Sequence, residues 1–227
     1  MVFPVYNIFS SFFSALALFF ISQRMKQYYR KTLFPLAKYF GNMSLAAGIG
    51  CFIDVFVFIL FANNPFWLGV GSIIGGLWAI AAHVYGFGIF LHLVFPHSPV
   101  EKIITAGLVL VVLVGIAHIW FMPFSTVDER GVINFNFLPF TKIIFFLFTM
   151  AGLLPLCFTF VLETMRKSHL RWRSGFAAFA FLFLVLANSL QSSVGGQYPG
   201  LTFIVLPVIA YSLLFVAVIL RVEADSP

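Results

Sequence analysis

Seven long apolar runs, separated by short polar or proline-bearing connections, make up most of the chain: roughly 4–22, 39–61, 66–95, 103–122, 139–162, 175–193 and 201–220. No stretch carries a strand pattern, and each run approaches the ~20 residues that a helix needs to cross a hydrocarbon layer of ~30 Å at ~1.5 Å per residue. The pattern predicts an all-α fold: one domain over residues 1–227, an integral membrane bundle of seven transmembrane helices. The longest run, 66–95, follows Asn63-Asn64-Pro65, stops before Pro96 and contains no Lys, Arg, Asp or Glu. Gly69, Gly71, Gly75, Gly76, Gly86 and Gly88 lie in it, and Gly71-Ser-Ile-Ile-Gly75 spells a GxxxG face. Small residues of this kind let helix backbones approach closely in lipid, where the hydrophobic effect cannot drive helices together. This third run is expected to be the most central helix.

The connections predict an orientation. Arg24, Lys26, Arg30, Lys31 and Lys38 lie between the first two runs with no acid among them. Arg166, Lys167, Arg171 and Arg173 lie between the fifth and sixth, and Arg221 follows the seventh. The alternate connections hold Arg130 and Lys142 beside Asp128 and Glu129. The positive-inside rule then puts the N-terminus outside and the C-terminus in the cytoplasm. The first run does not read as a signal peptide, because Met-Val-Phe-Pro-Val-Tyr offers no positive charge and the apolar run continues past Ala15-Leu-Ala17. The outer connection 123–138, with Gly131, Asn134 and Asn136, is expected to form a short hairpin over the mouth of the bundle. The inner connection Gln23–Lys38 mixes basic residues with Tyr28, Tyr29 and Phe34. That mixture suits an anionic leaflet surface, and a loop that only sets topology is the plainer reading. Pro155 and Pro207 interrupt the fifth and seventh runs and are expected bend points, either as moving elements or as static kinks.

Composition fits this class. The chain is 62% hydrophobic and 9% charged with mean hydropathy +1.06, against roughly 25% charged residues in a soluble domain. The net charge of +6 sits mainly in two membrane-flanking connections, so it is no nucleic-acid signal. Cys51 and Cys157 fall inside apolar runs and imply no disulfide framework. The lipid bilayer is the first expected partner, and a prokaryotic plasma membrane the expected location.

Polar residues within the apolar runs carry the candidate chemistry. Asp54 is the only acid well inside a run, and a carboxylate at a helix centre costs about 2.5–3.5 kcal/mol on insertion scales. Depth along the predicted helices groups Asp54 with His118, Asn188 and Gln191 in the outer half, near Tyr6 and Asn7. These four are expected to line a ligand pocket, or else to bond across helix interfaces as glue. His83 and His92 read as neutral core histidines; nine residues apart, they point to opposite faces about 13.5 Å apart in height, which is poor geometry for haem. The seventh run has no lysine for a Schiff base, and the chain has no GxSG, no HExxH, no paired Cys/His spacing and no phosphate loop. No catalytic residue, metal site or cofactor is therefore predicted, and an enzyme is the less favoured class.

The layout resembles the seven-transmembrane N-terminal sensor region of prokaryotic sensor histidine kinases. The similarity rests on the outside N-terminus, the basic stretch Arg24–Lys38 and the third run ending in Leu91-His-Leu-Val-Phe-Pro96. It continues through the outer loop after His118-Ile-Trp-Phe, the basic Arg166-Lys-Ser-His-Leu-Arg-Trp-Arg-Ser-Gly175 and the last Leu-rich run ending at Arg221. It covers nearly the whole chain by layout and loop composition, so no residue role comes with it. Proteins of that kind continue into a kinase or other output domain, whereas this sequence stops shortly after the seventh run; the resemblance implies either a stand-alone relative with a separate partner or a piece of a longer protein.

The leading expectation is a membrane sensor that binds a small or lipophilic ligand from the outer side and relays the change to a cytoplasmic or membrane partner. Pro155, Pro207 and the Gly71/Gly75 face are its expected conformational elements. The alternatives are a small transporter with Asp54 as coupling group, and a structural or assembly subunit of a membrane complex using the GxxxG face.

Overall fold

The computed structural model describes residues 4–121, 124–129, 131–135, 139–165, 171–193 and 205–224. They form seven helices and one small hairpin: α1 Val5–Thr32, α2 Pro35–Leu60, α3 Pro65–Val94, α4 Val100–Trp120, β1 Ser125–Val127, β2 Ile133–Phe135, α5 Pro139–Met165, α6 Arg171–Ser193 and α7 Leu206–Ala224. The fold is the expected all-α bundle. Five helical stretches are long and apolar enough to cross a membrane: α1 to α4 and Phe146–Met165 of α5. Trp172–Ala187 and Leu206–Val218 are shorter apolar stretches in α6 and α7. This is the build of an integral membrane protein, in which helices satisfy their own backbone hydrogen bonds where lipid cannot.

Local sequence sets the helix ends. Pro35 and Pro65 open α2 and α3 at positions where a missing N–H costs nothing. Asn64 caps α3 by accepting the Trp67 N–H at 3.2 Å. The first helix outruns the apolar run of 4–22 by ten residues, because Gln, Arg, Met and Lys are good helix formers and Arg30 and Lys31 favour a helix C-terminus. Leu33 stops it in the left-handed conformation, φ 55°, with its N–H on the Tyr29 carbonyl at 2.7 Å. The expected basic connection is thus mostly helix, with the chain turning at Leu33 and Phe34.

Among the described residues α1, α2, α3, α5, α6 and α7 each pack on the next, and α7 returns to α1, closing a ring of six. The fourth helix stands outside the ring against α3. The glycines of α3 explain its reach to three neighbours. A Cβ on Gly71 would meet Val57 and one on Gly75 would meet Asp54, both on α2, while a Cβ on Gly50 would lie 2.7 Å from the Gly75 carbonyl oxygen. On other faces Gly86 abuts the Gly152 carbonyl of α5, and Gly88 receives Ile104 of α4. Phe181 of α6 is fully buried, stacked on Phe160 of α5 at 5.7 Å and edge-on to Phe40 of α2 at 6.3 Å. At the foot of α4, Glu101 accepts from Lys38 Nζ at 2.9 Å and from the Tyr39 hydroxyl at 3.3 Å. Both charges are well exposed, so the pair contributes at most about 1 kcal/mol.

The hairpin expected within 123–138 is present. Its strands are antiparallel, with Val127 opposite Ile133, and Gly131 takes φ 73° between them. Ile133 is buried with Val57, Phe58 and Leu68, which seats the hairpin where α2 ends and α3 begins.

The α2–α3 seam should tolerate no added carbon. Gly75→Ala should destabilise the detergent-purified protein by about 1–3 kcal/mol through overpacking, as a lowered thermal midpoint. Gly175→Ala in α6, where the nearest atom to a new Cβ is 3.6 Å away, should be neutral or stabilising by up to about 1 kcal/mol.

Candidate functional site

A cavity of about 250 Å³ lies inside the helix ring, and all six ring helices contribute to its wall. The first helix supplies Asn7, Ser10, Ser11 and Ser14. Their spacing of i, i+3, i+4 and i+7 puts four polar side chains on one helix face. The face turned inward is the polar one, and the large hydrophobics Phe9, Phe12, Leu16 and Phe20 are exposed on the outside. That is the reverse of a soluble helix and fits a helix between lipid and a polar interior. From α2 come Ser44, Cys51 and Asp54, from α3 Ala79, Ala82 and His83, and from α7 Pro207 and Tyr211. Leu153 of α5 and Phe181 and Leu184 of α6 close the apolar side.

Asp54 owes its position to Gly75, since any side chain there would occupy the space of the carboxyl. Among the described residues no hydrogen bond or ion pair to the Asp54 carboxyl is formed, and neither Lys nor Arg is among the residues lining the cavity. Hydroxyls at Ser72, Thr105, Thr159 and Thr164 turn back onto the carbonyl four residues earlier, at 2.7 to 2.8 Å. The cavity serines make no such bond among the described residues, so their hydroxyls remain available to the cavity. His83 Nδ1 is buried and likewise has no hydrogen-bond partner there. At the rim, Asn7 Oδ1 accepts the Ile133 N–H at 3.4 Å in a buried contact. One cavity residue thus also holds the hairpin. Asp54 and His83 share the cavity, yet no cluster of three His, Cys, Asp or Glu side chains occurs among the described residues.

The residues expected at the site are distributed as follows. Asp54 lines the cavity. His118 is buried on α4, outside the ring and not on the cavity wall. Asn188 and Gln191 fall in the last turns of α6, where their side chains lie outside the described residues. Pro207 lines the cavity in the first turn of α7, preceded by residues 201–204 outside the described set. Pro155 lies within α5, with the Thr159 hydroxyl donating to its carbonyl at 2.8 Å. The GxxxG pair is engaged inside the chain, against α2. His92 lies away from the cavity, its ring 6.0 Å edge-on from Tyr39.

Depth reasoning did not single out Ser10, Ser11, Ser14, Ser44, Cys51, His83 or Tyr211 as a site. The first three were legible as a polar face at helical spacing with Asn7. The others depend on which helices are neighbours, which spacing along one helix does not contain. No protein-family profile and no curated protein matches the chain.

Replacing Asn7 by Ala removes the acceptor of a buried N–H, which costs about 1–3 kcal/mol where no substitute is found. Hydrogen–deuterium exchange should show faster exchange over 125–135 in Asn7→Ala, with protection of α2 and α3 unchanged.

Proposed function

We propose that the protein is a membrane receptor of the sensor type, which binds a small polar ligand in the cavity and passes the resulting helix rearrangement to a partner. The observation that carries this reading is the shared wall: a ligand in the cavity touches side chains from every helix of the ring. Its contacts therefore change with any relative motion of those helices, and differential affinity for two arrangements is what a conformational signal requires. Moving a two-state bundle from about 1% to about 99% takes about 5.5 kcal/mol of such preference. The layout likeness to seven-helix sensor regions supports the same reading, as does the hairpin, which ties one cavity residue to a surface element. Under the predicted orientation the ligand arrives from the outer side and the partner is cytoplasmic.

A carrier is the second reading. The cavity reaches Ala79–His83, near the middle of a 30-residue helix, and substrate sites of alternating-access carriers lie near the bilayer midplane. Uptake into proteoliposomes that disappears in Asp54→Asn would favour it over a receptor. An assembly subunit loses its main support, since Gly71 and Gly75 are spent on the α2 contact.

Thermal unfolding of the purified protein across lipids, quinones, metabolites and ions should yield at least one stabilising compound. At about 100 times its dissociation constant it adds about 2.7 kcal/mol, and the shift should vanish in Asp54→Asn. No stabilisation by any compound, with Asp54→Asn merely more stable than wild type, would sink the receptor reading.

A further inference from the structure

We infer that the cavity is built for a small organic ammonium ion carrying hydroxyl or similar polar groups. The inference rests on the receptor reading and names its ligand class. Among the described residues Asp54 is the only acidic one on the cavity wall, and no Lys or Arg of that set lies there to neutralise it. A carboxyl inside the bundle is stable either protonated or beside a positive charge, and an ammonium ion supplies the second. An anion would meet a carboxylate and no basic group except the His83 imidazole, so the cavity selects against it. The rest of the wall fits an ammonium group. Phe58 and Tyr211 present aromatic rings, whose faces attract cations. Ser10, Ser14 and Ser44 bring hydroxyls not bonded to other described residues, each able to accept from an ammonium N–H or bond a ligand hydroxyl. The His83 side chain also lines the cavity, with its Nδ1 buried away from the accessible space. Leu18, Met43 and Leu214 leave room for a short carbon skeleton.

Size separates an organic cation from a bare metal ion. The cavity of about 250 Å³ is several times the ~30 Å³ that one water occupies in the liquid, so an alkali ion would fill it only with a cluster of water. A hydroxylated amine of a few carbons occupies far more of it than a bare ion and offers a donor to each kind of oxygen present.

The test uses the full chain in detergent or nanodiscs and two nearly isosteric probes, 2-amino-1,3-propanediol and glycerol. Sodium and potassium chloride at matched concentration form a third arm. The amine should raise the thermal midpoint in a saturable way with at least tenfold higher apparent affinity than glycerol. Asp54→Asn should remove that selectivity, and the paired Ser14→Ala, Ser44→Ala variant, which keeps the carboxylate, should weaken amine binding several-fold should the Asn variant fail to fold. Stabilisation by sodium or potassium equal to that by the amine, and lost in Asp54→Asn, would overturn the organic cation in favour of a hydrated metal ion. Saturable stabilisation by glycerol, unmatched by the amine, would overturn the ammonium inference while leaving the receptor reading intact. No stabilisation by the amine would overturn the ammonium inference, while the receptor reading stands or falls on the wider panel of compounds.

Discussion

Close approach of α2 and α3 is the constraint on which the rest of the bundle depends. In lipid no hydrophobic effect draws two apolar helices together, so contact has to come from backbone proximity and packing. Gly50, Gly71 and Gly75 provide that proximity, and Val57 and Asp54 fill the spaces the glycines leave. One seam therefore does two things at once. It brings the longest helix against its neighbour, and it leaves the space in which the Asp54 carboxyl sits beside the α3 backbone. The other glycines of α3 extend the same logic, Gly86 toward α5 and Gly88 toward α4.

The polar cavity follows from the ring. Six helices arranged around a centre leave an interior that large side chains fill only in part; Phe181 and Leu153 close one side, while the serine face of α1 stands on the other. Serine is too short to cross the gap and too polar to be left against lipid, so the stripe turns inward and the phenylalanines of the same helix turn outward. The hairpin completes the arrangement by donating the Ile133 N–H to Asn7 of the cavity wall. The cavity wall, the ring and the hairpin are thereby parts of one connected structure.

The fold was legible because the bilayer restricts the choices. Apolar runs of helical length, with Pro35 and Pro65 at their borders, place the ends of α2 to α4 within about four residues, and α3 at 66–95 differs from Pro65–Val94 by one residue at each end. The end of α1 was not legible, since helix propensity carried it through a basic stretch that hydropathy assigns to a loop. The site was half legible. Asp54 announces itself by cost, whereas His118 seemed equivalent by depth yet stands on a helix outside the ring. Depth is a single coordinate; sharing a cavity requires the angular position of each helix as well, and that is fixed by which glycine faces which neighbour. The serines of α1 held the angular information in their spacing, while Tyr211 joined the site only once α7 was known to return to α1.

The outlying position of α4 has a mechanical meaning. Its base is fastened beside α2 through Glu101, and its far end leads toward the hairpin that begins at Ser125. Twenty-one residues of continuous helix make a strut of about 30 Å at ~1.5 Å per residue. It borders α3 along glycine notches and contributes no residue to the cavity wall. Helix α4 packs chiefly on α3, so any displacement of α4 would reach the cavity by way of that helix.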